Sequence, residues 1–359
     1  PMIKTLILRI AQILGLFALS RHLTRRSLRI LCYHGTWQGP APHYGDCLFM
    51  DPARFARRMH ALKRRGYRVI PLAEGCRRLA AGTLEARDLV ITIDDGWKGT
   101  YRDMLPVLRE CDFHATLYVA TEPIIQGEPL IHLLTVYMVE RSARRPEEYA
   151  GLFPELRLSS TERGQLAQAL SRHIFTHPTA AARRIAIDEI GHKLGIDTVE
   201  LSERAAFHLM TPEEVRAAHE CGVDVQLHTH THKMHGFVPS RVKEEITLNR
   251  QHVAQITGRP PSELVHFCYP SGLFHPSVYE VLRQTGIISA TTTEFGLNPP
   301  GSDPLALKRI LDCESLTELD LEARLSGFWT LAQTLRAGLQ RLKPNEQSSR
   351  PRQPRAHYQ

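Results

Sequence analysis

Short apolar runs alternate with longer amphipathic segments along most of this chain of 359 residues. The runs are rich in β-branched and aromatic residues, and the segments between them carry apolar residues at helical spacing. Seven runs are typical of buried strands: 28–34, 67–72, 89–93, 114–120, 223–227, 264–269 and 287–291. Strands that alternate with helices form parallel βαβ units, so the pattern predicts an α/β fold. The strand count favours a distorted or incomplete (β/α) barrel of seven or eight strands.

The strand predicted at 89–93 ends on two carboxylates and a glycine, Asp94, Asp95 and Gly96. Adjacent side chains that leave a strand point in different directions, so one carboxylate can bind a cation while the other takes protons. An ordinary Asp-Gly turn after a strand explains the same three residues without any chemistry. The local pattern therefore leaves both interpretations open.

A second strand, at 223–227, ends on four histidines within eight residues: His228, His230, His232 and His235. Imidazole is the commonest metal ligand in proteins near neutral pH. The spacing of four between His228 and His232 brings both onto one side of a helical or turn-like segment. One carboxylate and two histidines form an open set of ligands for a zinc-like ion. A solvated loop is the alternative, but this density of histidines favours metal binding.

Three blocks of the sequence resemble the first three motifs of the polysaccharide deacetylases, which are carbohydrate esterase family 4 with the NodB-homology domain. The blocks are Thr92–Gly96, His228–His232 and Phe267–Gly272, and their order and spacing also match. The resemblance covers roughly residues 28 to 312, with a long insertion before the histidine block. It implies a deacetylase barrel and the metal-dependent removal of acetyl groups from N-acetylated amino sugars.

The resemblance also assigns roles to the residues at the strand ends. It implies that Asp95, His228 and His232 hold the ion and that Asp94 removes a proton from water. The implied cofactor is one divalent ion, with Zn²⁺ expected first and Co²⁺, Ni²⁺ or Mn²⁺ as chemical alternatives.

The histidine that protonates the departing amine in this family usually lies in a Leu-x-His motif near the C-terminus. Here the segment 309–311 is followed by a predicted helix, 315–342, that contains no histidine. In relatives with a circularly permuted barrel, the equivalent strand is the N-terminal one and ends in Tyr-His. The sequence Leu-Cys-Tyr-His at 31–34 matches that arrangement, so the resemblance assigns the acid role to His34.

The third block departs from the common form of the family, which has an arginine two residues before the proline and a tyrosine just after it. Cys268 and Ser271 stand at these positions, on either side of Tyr269 and Pro270. In the family, a backbone N–H at the tyrosine position helps to hold the oxyanion, and Ser271 retains that N–H. Tyr269, Pro270 and Ser271 are therefore the expected substrate-binding residues. The missing arginine orients the catalytic aspartate in relatives, and Arg309 is its expected substitute.

The domain organisation follows from composition and helical periodicity around these motifs. Residues 1–27 are predicted to form an amphipathic, membrane-associated helix, and 28–312 the deacetylase barrel. Residues 121–210 are too many for a loop and predict a helical insertion that either shapes substrate entry or is a structural cover. Residues 313–342 predict a C-terminal helix, and 343–359 a disordered basic tail.

The net charge of +7 comes largely from arginines at the two ends and around 141–145, and it favours an anionic membrane surface or an acidic glycan as a partner. Nucleic acid is not an expected partner, because no nucleic-acid-binding module is recognisable. The apolar stretch 3–19 runs into several arginines, which favours an amphipathic helix on an anionic membrane. A helix packed on the barrel and the secretory signal of an exported protein are the alternatives.

The seven cysteines are scattered, odd in number and without CxxC spacing: Cys32, Cys47, Cys76, Cys111, Cys221, Cys268 and Cys313. This pattern predicts reduced, mostly buried thiols rather than a disulfide framework or a zinc cage. Reduced thiols favour the cytoplasm, so the expected location is cytoplasmic and peripheral to the membrane.

The sequence leaves two functions open. The first is a metal-dependent N-deacetylase that releases acetate from an N-acetylhexosamine on a lipid-linked or nascent cell-surface glycan. The second is a barrel of the same fold that binds or scaffolds glycans without turnover. The intact acidic pair and histidines favour turnover, because a binding protein needs no general base beside a metal. The altered third block and the missing C-terminal histidine favour the binding protein.

Overall fold

A parallel sheet that closes on itself forms the centre of the computed structural model, which describes residues 2–156 and 162–341. Seven strands, β1 and β5 to β10, form the ring, and the pairing of β10 with β1 closes it. The predicted (β/α) barrel is thus confirmed, with seven strands and no gap in the ring. The strands of the described residues are β1 (Ile30–Tyr33), β2 (Gly35–Thr36), β3 (Phe49–Met50), β4 (Arg68–Val69), β5 (Asp88–Ile93), β6 (Thr116–Val119), β7 (Asp224–Leu227), β8 (His266–Cys268), β9 (Ser289–Phe295) and β10 (Leu307–Leu311).

The barrel closes at β1, which pairs in parallel on both of its edges. Leu31 lies beside Ile310 of β10 on one edge and beside Ile91 of β5 on the other. Short β4 pairs with the start of β5 outside the ring, and β2 and β3 form a separate two-stranded ribbon. Because the barrel strands are all parallel, their carboxyl ends meet on one side of the molecule.

Most residues of the barrel strands are buried, and strands that are buried on both faces appear in the sequence as nearly continuous apolar runs. Every residue of β1, β5 and β6 is buried. Leu31, Ile91, Leu117 and Val225 belong to one continuous core that also includes side chains of the surrounding helices.

Helices surround the barrel and connect successive strands. In the described residues they are α1 (Met2–Ile13), α2 (Leu16–Leu23), α3 (Pro52–Arg64), α4 (Leu72–Ala81), α5 (Leu105–Cys111), α6 (Thr121–Gln126), α7 (Ile131–Arg141), α8 (Tyr149–Leu152), α9 (Arg163–Phe175), α10 (Ala180–Leu194), α11 (Thr198–Glu203), α12 (Pro212–Glu220), α13 (Pro239–Thr257), α14 (Tyr279–Gln284), α15 (Glu318–Leu325) and α16 (Phe328–Arg341). Several begin as their sequences predict. Thr211, for example, caps α12 by accepting the N–H of Glu214, whose carboxylate accepts the N–H of Thr211 in return.

The segment predicted as an insertion at 121–210 contains α6 to α11 and leaves the barrel directly after β6. Its end returns to the carboxyl side of the barrel. Leu209 forms an antiparallel bridge with Trp97, and the N–H of Met210 donates to the carbonyl of Gly96 at 2.7 Å. The insertion is therefore attached directly beside the Asp-Asp-Gly turn.

Two segments that were each predicted as one helix contain two. The segment 1–27 contains α1 and α2, which are separated at Gly15, and 313–342 contains α15 and α16, which are separated at Gly327. Both glycines have positive φ, 73° and 81°, a conformation that other residues rarely adopt and that interrupts a helix. Residue 342 and the tail predicted at 343–359 lie outside the described residues.

The prediction that the cysteines are reduced thiols is wrong for two of them. Cys47 and Cys313 form a disulfide that joins the loop between β2 and β3 to the segment after β10. The two are 266 residues apart, so sequence spacing could not indicate the pair. Asp46 strengthens the same junction by accepting the hydroxyl of Ser315 at 2.8 Å. Because disulfides persist in oxidising compartments, this pair weakens the cysteine argument for a cytoplasmic location, which stays a prediction.

Candidate active site

Four of the predicted site residues follow directly on the carboxyl ends of barrel strands. Asp94 follows β5, His34 follows β1, His228 follows β7 and Tyr269 follows β8. The parallel barrel brings these ends together on one side, although the residues are far apart in sequence.

Asp94 forms a buried, two-pronged ion pair with Arg309 of β10. The guanidinium donates from Nη1 to Oδ1 and from Nη2 to Oδ2, both at 2.7 Å. Arg309 is itself held by the carbonyl of Thr292 at 2.7 Å and the hydroxyl of Thr92 at 3.2 Å. Burial alone would raise the pKa of Asp94, but the charge and hydrogen bonds of Arg309 outweigh it and hold this pKa below its ordinary value. The carboxylate is therefore ionised near neutral pH.

Two cysteine side chains lie beside the same carboxylate. Sγ of Cys268 is 3.5 Å and Sγ of Cys32 is 3.7 Å from Oδ2 of Asp94. Burial raises the pKa of the Cys32 thiol well above its ordinary value, so it is a neutral S–H group. Cys268 occupies the sequence position of the family's arginine, but the positive charge that contacts Asp94 comes from Arg309 on another strand.

Asp95 faces two histidines, whereas Asp94 faces an arginine. The backbone of Asp95 has a φ of 70°, in the left-handed region. Its Oδ1 lies 3.2 Å from Nε2 of His228 and 3.3 Å from Nε2 of His232. Its Oδ2 accepts the indole N–H of the buried Trp97 at 2.9 Å. The three predicted ligands thus converge, with their ligand atoms within 4.8 Å of one another.

The histidine segment is an irregular loop, so helical geometry is not what brings its two ligands together. Thr229 and His232 have φ values of 62° and 59°, which turn the chain sharply twice within four residues. The Thr229 hydroxyl accepts the N–H of Lys233 at 3.1 Å and closes the loop. The rings of His228 and His232 then lie 4.8 Å apart.

Hydrogen bonds fix the orientation of His228. Its Nδ1 lies 2.8 Å from the carbonyl of Cys268, to which only an N–H can donate, so Nε2 is the ring nitrogen that is directed toward Asp95. Its backbone N–H donates to the side chain of Asn249 at 2.9 Å. Asn249, on α13, also donates to the carbonyl of Val119 and the hydroxyl of Thr121. This amide ties the histidine loop to the neighbouring strand β6.

A second group of potential ligands, Asp94, His228 and Cys268, shares one histidine with the first. Both carboxylate oxygens of Asp94 already accept from Arg309, whose Nη2 also lies 3.2 Å from Sγ of Cys268. A cation at this position would be repelled by the guanidinium. The group formed by Asp95, His228 and His232 is therefore the better metal site.

His34 lies beside the ionised carboxylate of Asp94. Its Nε2 is 3.9 Å from Oδ2 of Asp94, and its side chain is mostly buried. The hydroxyl of Thr100 donates to the backbone carbonyl of His34 at 2.9 Å. Within the described residues, the Nδ1 atom is buried and has no hydrogen-bond partner. His34 is thus adjacent to the predicted base without being one of the convergent metal ligands.

The third block forms a tight turn after β8. Ser271 has a φ of 56°, and the N–H groups of Gly272 and Leu273 donate to carbonyls within the turn. Among the described backbone hydrogen bonds, none uses the N–H of Ser271, and its side chain is exposed. Tyr269 is different, because its ring is buried and its hydroxyl donates to the carbonyl of Leu305 at 2.8 Å. Pro270 is buried too, so Ser271 is the member of this predicted set that faces solvent.

The polysaccharide deacetylase family model matches residues 81–152 and 169–290, which is more than half of the chain. The chain belongs to the polysaccharide deacetylase family. It is therefore a carbohydrate deacetylase, a hydrolase. The match includes both aspartates, the histidine loop and most of the barrel, but His34 and Arg309 lie outside it. A search of curated proteins finds no match.

Solved structures of deacetylases share this fold at low sequence identity. Streptococcus pyogenes PplD, solved in complex with acetate, is 16% identical with a TM-score of 0.55, over 84% of this chain and 99% of PplD. A polysaccharide deacetylase from Bacillus cereus is 17% identical with a TM-score of 0.53, over 84% of this chain and 69% of its own. IcaB from Ammonifex degensii is 18% identical with a TM-score of 0.51, over 84% and 97%. At these identities the likeness concerns the fold alone.

The two other histidines of the loop point to other partners. Nδ1 of His230 lies 2.9 Å from the hydroxyl of Thr121, and its ring stacks on that of His252. Nε2 of His235 lies 2.8 Å from Glu245. Neither belongs to the convergent set, which contains the two histidines predicted as ligands.

Several residues of this deacetylase site were not identified from the sequence. Asn249 lies in the middle of a helix, and Cys32 in the middle of a strand, so neither had a local signal. Trp97 did have a local signal, because it directly follows the Asp-Asp-Gly turn. A buried tryptophan also needs a hydrogen-bond partner for its indole N–H.

Proposed function

We propose that this chain is a metal-dependent N-deacetylase that hydrolyses the acetamide of an N-acetylated amino sugar in a glycan. The observation that carries the proposal is the pairing of two unlike carboxylates. Asp94 is ionised and held by Arg309, while Asp95 converges with two histidines. One carboxylate is thus arranged to take a proton and the other to hold a cation, and a site that only binds glycans needs neither arrangement.

The convergent residues have the donor chemistry of a divalent-metal site. One carboxylate oxygen and two imidazole nitrogens, from Asp95, His228 and His232, suit Zn²⁺ first, with Co²⁺, Ni²⁺ and Mn²⁺ as alternatives. The hydrogen bond from Nδ1 of His228 to a carbonyl is the supporting contact usual for a metal-bound histidine. A divalent ion bound there supplies Lewis acidity, which polarises a carbonyl and makes a nearby water more acidic.

The protein's own groups then divide the proton transfers. Asp94 accepts a proton from the attacking water, whose oxygen adds to the acetamide carbon. His34 donates a proton to the amide nitrogen as the C–N bond breaks, so the products are acetate and a free amine. Arg309 keeps Asp94 oriented and ionised, and the backbone N–H of Ser271 is an available donor for the developing oxyanion.

The alternative of a binding protein without turnover rested on two departures from the family. The first was the cysteine at position 268, and Arg309 now accounts for the charge that this change removes. The second was the missing C-terminal histidine, and His34 lies 3.9 Å from Asp94. Both contacts favour an enzyme that turns over its substrate rather than a protein that only binds it.

Family membership supports an acetylated carbohydrate as the substrate. Within that class we propose an N-acetylhexosamine of a lipid-linked or nascent cell-surface glycan. The test is acetate release from chito-oligomers, peptidoglycan and membrane lipid extracts, by the wild type after chelation and after addition of Zn²⁺, Co²⁺, Ni²⁺ or Mn²⁺. The Asp94→Asn variant is the control for contaminating deacetylases.

We expect metal-dependent acetate release from at least one of these substrates and release that is slower by roughly 10²-fold or more from Asp94→Asn. Activity that survives chelation would contradict the metal-dependent mechanism. Binding to a glycan with no acetate release under any metal would instead favour the binding protein.

A further inference from the structure

The N-terminal helices α1 and α2 expose an unusual amount of apolar surface. Nine of the 17 large exposed hydrophobic side chains among the described residues lie between Ile3 and Leu23: Ile3, Leu6, Ile7, Ile10, Ile13, Leu14, Leu16, Leu19 and Leu23. On α1 they follow the spacing i, i+3, i+4, i+7, so they form one continuous stripe along the helix. Apolar patches of this kind mark surfaces that contact a protein or a membrane.

This stripe is separate from the side of the helices that packs on the protein. Leu8, Ala11 and Phe17 are buried against Ala323 of α15 and against α16. Lys4 forms an ion pair with Asp320 at 2.6 Å, and Arg21 pairs with Glu322. The helices are therefore docked on the body of the protein, and the exposed stripe is a second face without a partner in the described part of the chain.

The charged residues that α1, α2 and the segment after them contribute are all basic. The first 45 residues contain six lysine and arginine residues and no aspartate or glutamate. Arg9, Arg25 and Arg26 are exposed, and none forms an ion pair within the described residues. Exposed apolar side chains flanked by such arginines are complementary to an anionic lipid surface. The apolar side chains insert between the lipids, and the arginines contact the anionic headgroups.

The helices lie at the end of the barrel opposite to the active site. Arg29, which directly precedes β1, donates to the carbonyl of Leu325 at 2.8 Å and to the hydroxyl of Thr24 at 2.8 Å. Arg21 contacts the hydroxyl of Tyr67, which directly precedes β4. These contacts place α1, α2 and α15 at the amino ends of the strands, whereas the catalytic residues follow the carboxyl ends.

The geometry of α1 and α2 suits a helix pair that lies on a membrane surface. No single helix of the described residues has both the length and the hydropathy to cross a bilayer. The pair Ile3–Ile13 and Leu16–Leu23 meets both criteria only when its helices are taken together, and they are bent by 72°.

We propose that α1 and α2 dock the enzyme on an anionic bilayer as a peripheral surface, with the catalytic end of the barrel turned away from the lipid. What this orientation implies for catalysis rests on the proposed function. A docked enzyme then reaches sugars that extend beyond the headgroups rather than the sugar attached directly to a lipid.

The docking is tested by co-sedimentation of the full chain with phosphatidylglycerol-containing vesicles and with neutral phosphatidylcholine vesicles. The test variant is Ile7→Glu with Ile10→Glu. Its matched control is Ile185→Glu with Val199→Glu, which adds the same charge at equally exposed helical positions of the insertion. Circular dichroism and thermal unfolding check that all of the proteins fold.

We expect the wild type and the control to bind anionic vesicles and the test variant to bind about 100-fold more weakly, because two inserted side chains are lost. Binding by the wild type should fall by a factor of about 10 or more on neutral vesicles or in high salt. Equal binding by the test and control variants would overturn the proposal, as would no binding by the wild type.

Two further outcomes would replace the lipid with another occupant or arrangement. A wild-type dimer that the test variant dissociates, without vesicle binding, would assign the stripe to a second copy of the chain. Vesicle-bound protein that resists extraction at alkaline pH would mean that the bent pair spans the bilayer.

The orientation has its own readout, which is acetate release from soluble chito-oligomers by free and vesicle-bound enzyme. Equal rates are expected when the active site faces water, and loss of the rate on binding would overturn the orientation. No acetate release even without vesicles would count against the proposed function on this substrate and leave the docking result unaffected.

Discussion

The two ends of the barrel depart in different ways from the usual arrangement, in which charged side chains are exposed and apolar ones are buried. At the carboxyl end, charged groups such as Asp94 and Arg309 are almost fully buried. At the amino end, isoleucines and leucines of α1 and α2 are exposed beside unpaired arginines. Buried charges need nearby partners, and Asp94 and Arg309 provide each other with one. The exposed apolar groups have no partner among the residues that the structure describes, and such surfaces mark contacts with a protein or a membrane.

The comparison extends to the arginines. Arg309 and Arg29 are both buried, but Arg309 neutralises a carboxylate, whereas Arg29 donates to backbone carbonyls and a hydroxyl. Burial lowers the pKa of Arg29 to about 10, while the contact with Asp94 keeps the pKa of Arg309 well above its ordinary value despite burial. Arg309 therefore belongs to the proposed catalytic site at one end, and Arg29 joins helices to the barrel at the other.

The largest effect is expected from substituting each of the two adjacent carboxylates on its own. Asp95→Asn should lose bound metal and acetate release together, because Asp95 is a proposed ligand. Asp94→Asn should keep the metal and lose turnover by roughly 10²–10⁴-fold or more, because only the base is removed. Elemental analysis and acetate release measure both quantities. Equal loss of metal in the two variants would show that the roles are divided wrongly.

The next effect concerns His34. His34→Ala should lower kcat by roughly 10²–10⁴-fold with unchanged metal content, since an acid outside the ligand set affects only proton transfer. His235→Ala is the matched control, because that histidine comes from the same sequence block as the ligands but contacts Glu245. A normal rate in His34→Ala would move the acid role to another group.

A smaller and more specific effect is expected at Arg309. Arg309 lowers the pKa of Asp94 against the effect of burial, so its removal should raise that pKa. As the pH falls, Arg309→Gln should therefore lose kcat/KM at a higher pH than the wild type, and Arg309→Lys should shift less. Arg58→Gln removes another buried arginine, one that pairs with Asp312, and should leave the acid limb in place. An unshifted acid limb in Arg309→Gln would contradict the assignment of Asp94 as the base.

The smallest effect on catalysis is expected at the amino end. Leu8→Ala removes a buried side chain of α1 and should weaken its packing by about 2 kcal/mol or more, whereas exposed Leu6→Ala should change stability by less than about 0.5 kcal/mol. Hydrogen exchange of α1 measures the difference. Neither variant should alter acetate release from soluble oligomers. A catalytic defect in either one would mean that the two ends are coupled.

The sequence by itself determined the class of fold and most of the residues of the proposed catalytic site. Apolar runs buried on both faces predict parallel strands, and the acids and histidines at their ends could be identified because each set is contiguous in the chain. The roles of Asp94, Asp95, His228, His232 and His34 came from the family resemblance, and these residues lie together in the structure.

Tertiary structure alone decided what depends on contacts between distant segments. The contact of Arg309 with Asp94 joins two strands, the Cys47–Cys313 disulfide joins segments 266 residues apart, and Asn249 reaches the histidine loop from a helix. It also decided how the two predicted histidines converge, because backbone turns at positive φ, rather than helical spacing, direct His232 toward Asp95. Sequence patterns record local periodicity and adjacency, whereas these contacts depend on how the closed barrel brings strand ends and helices together.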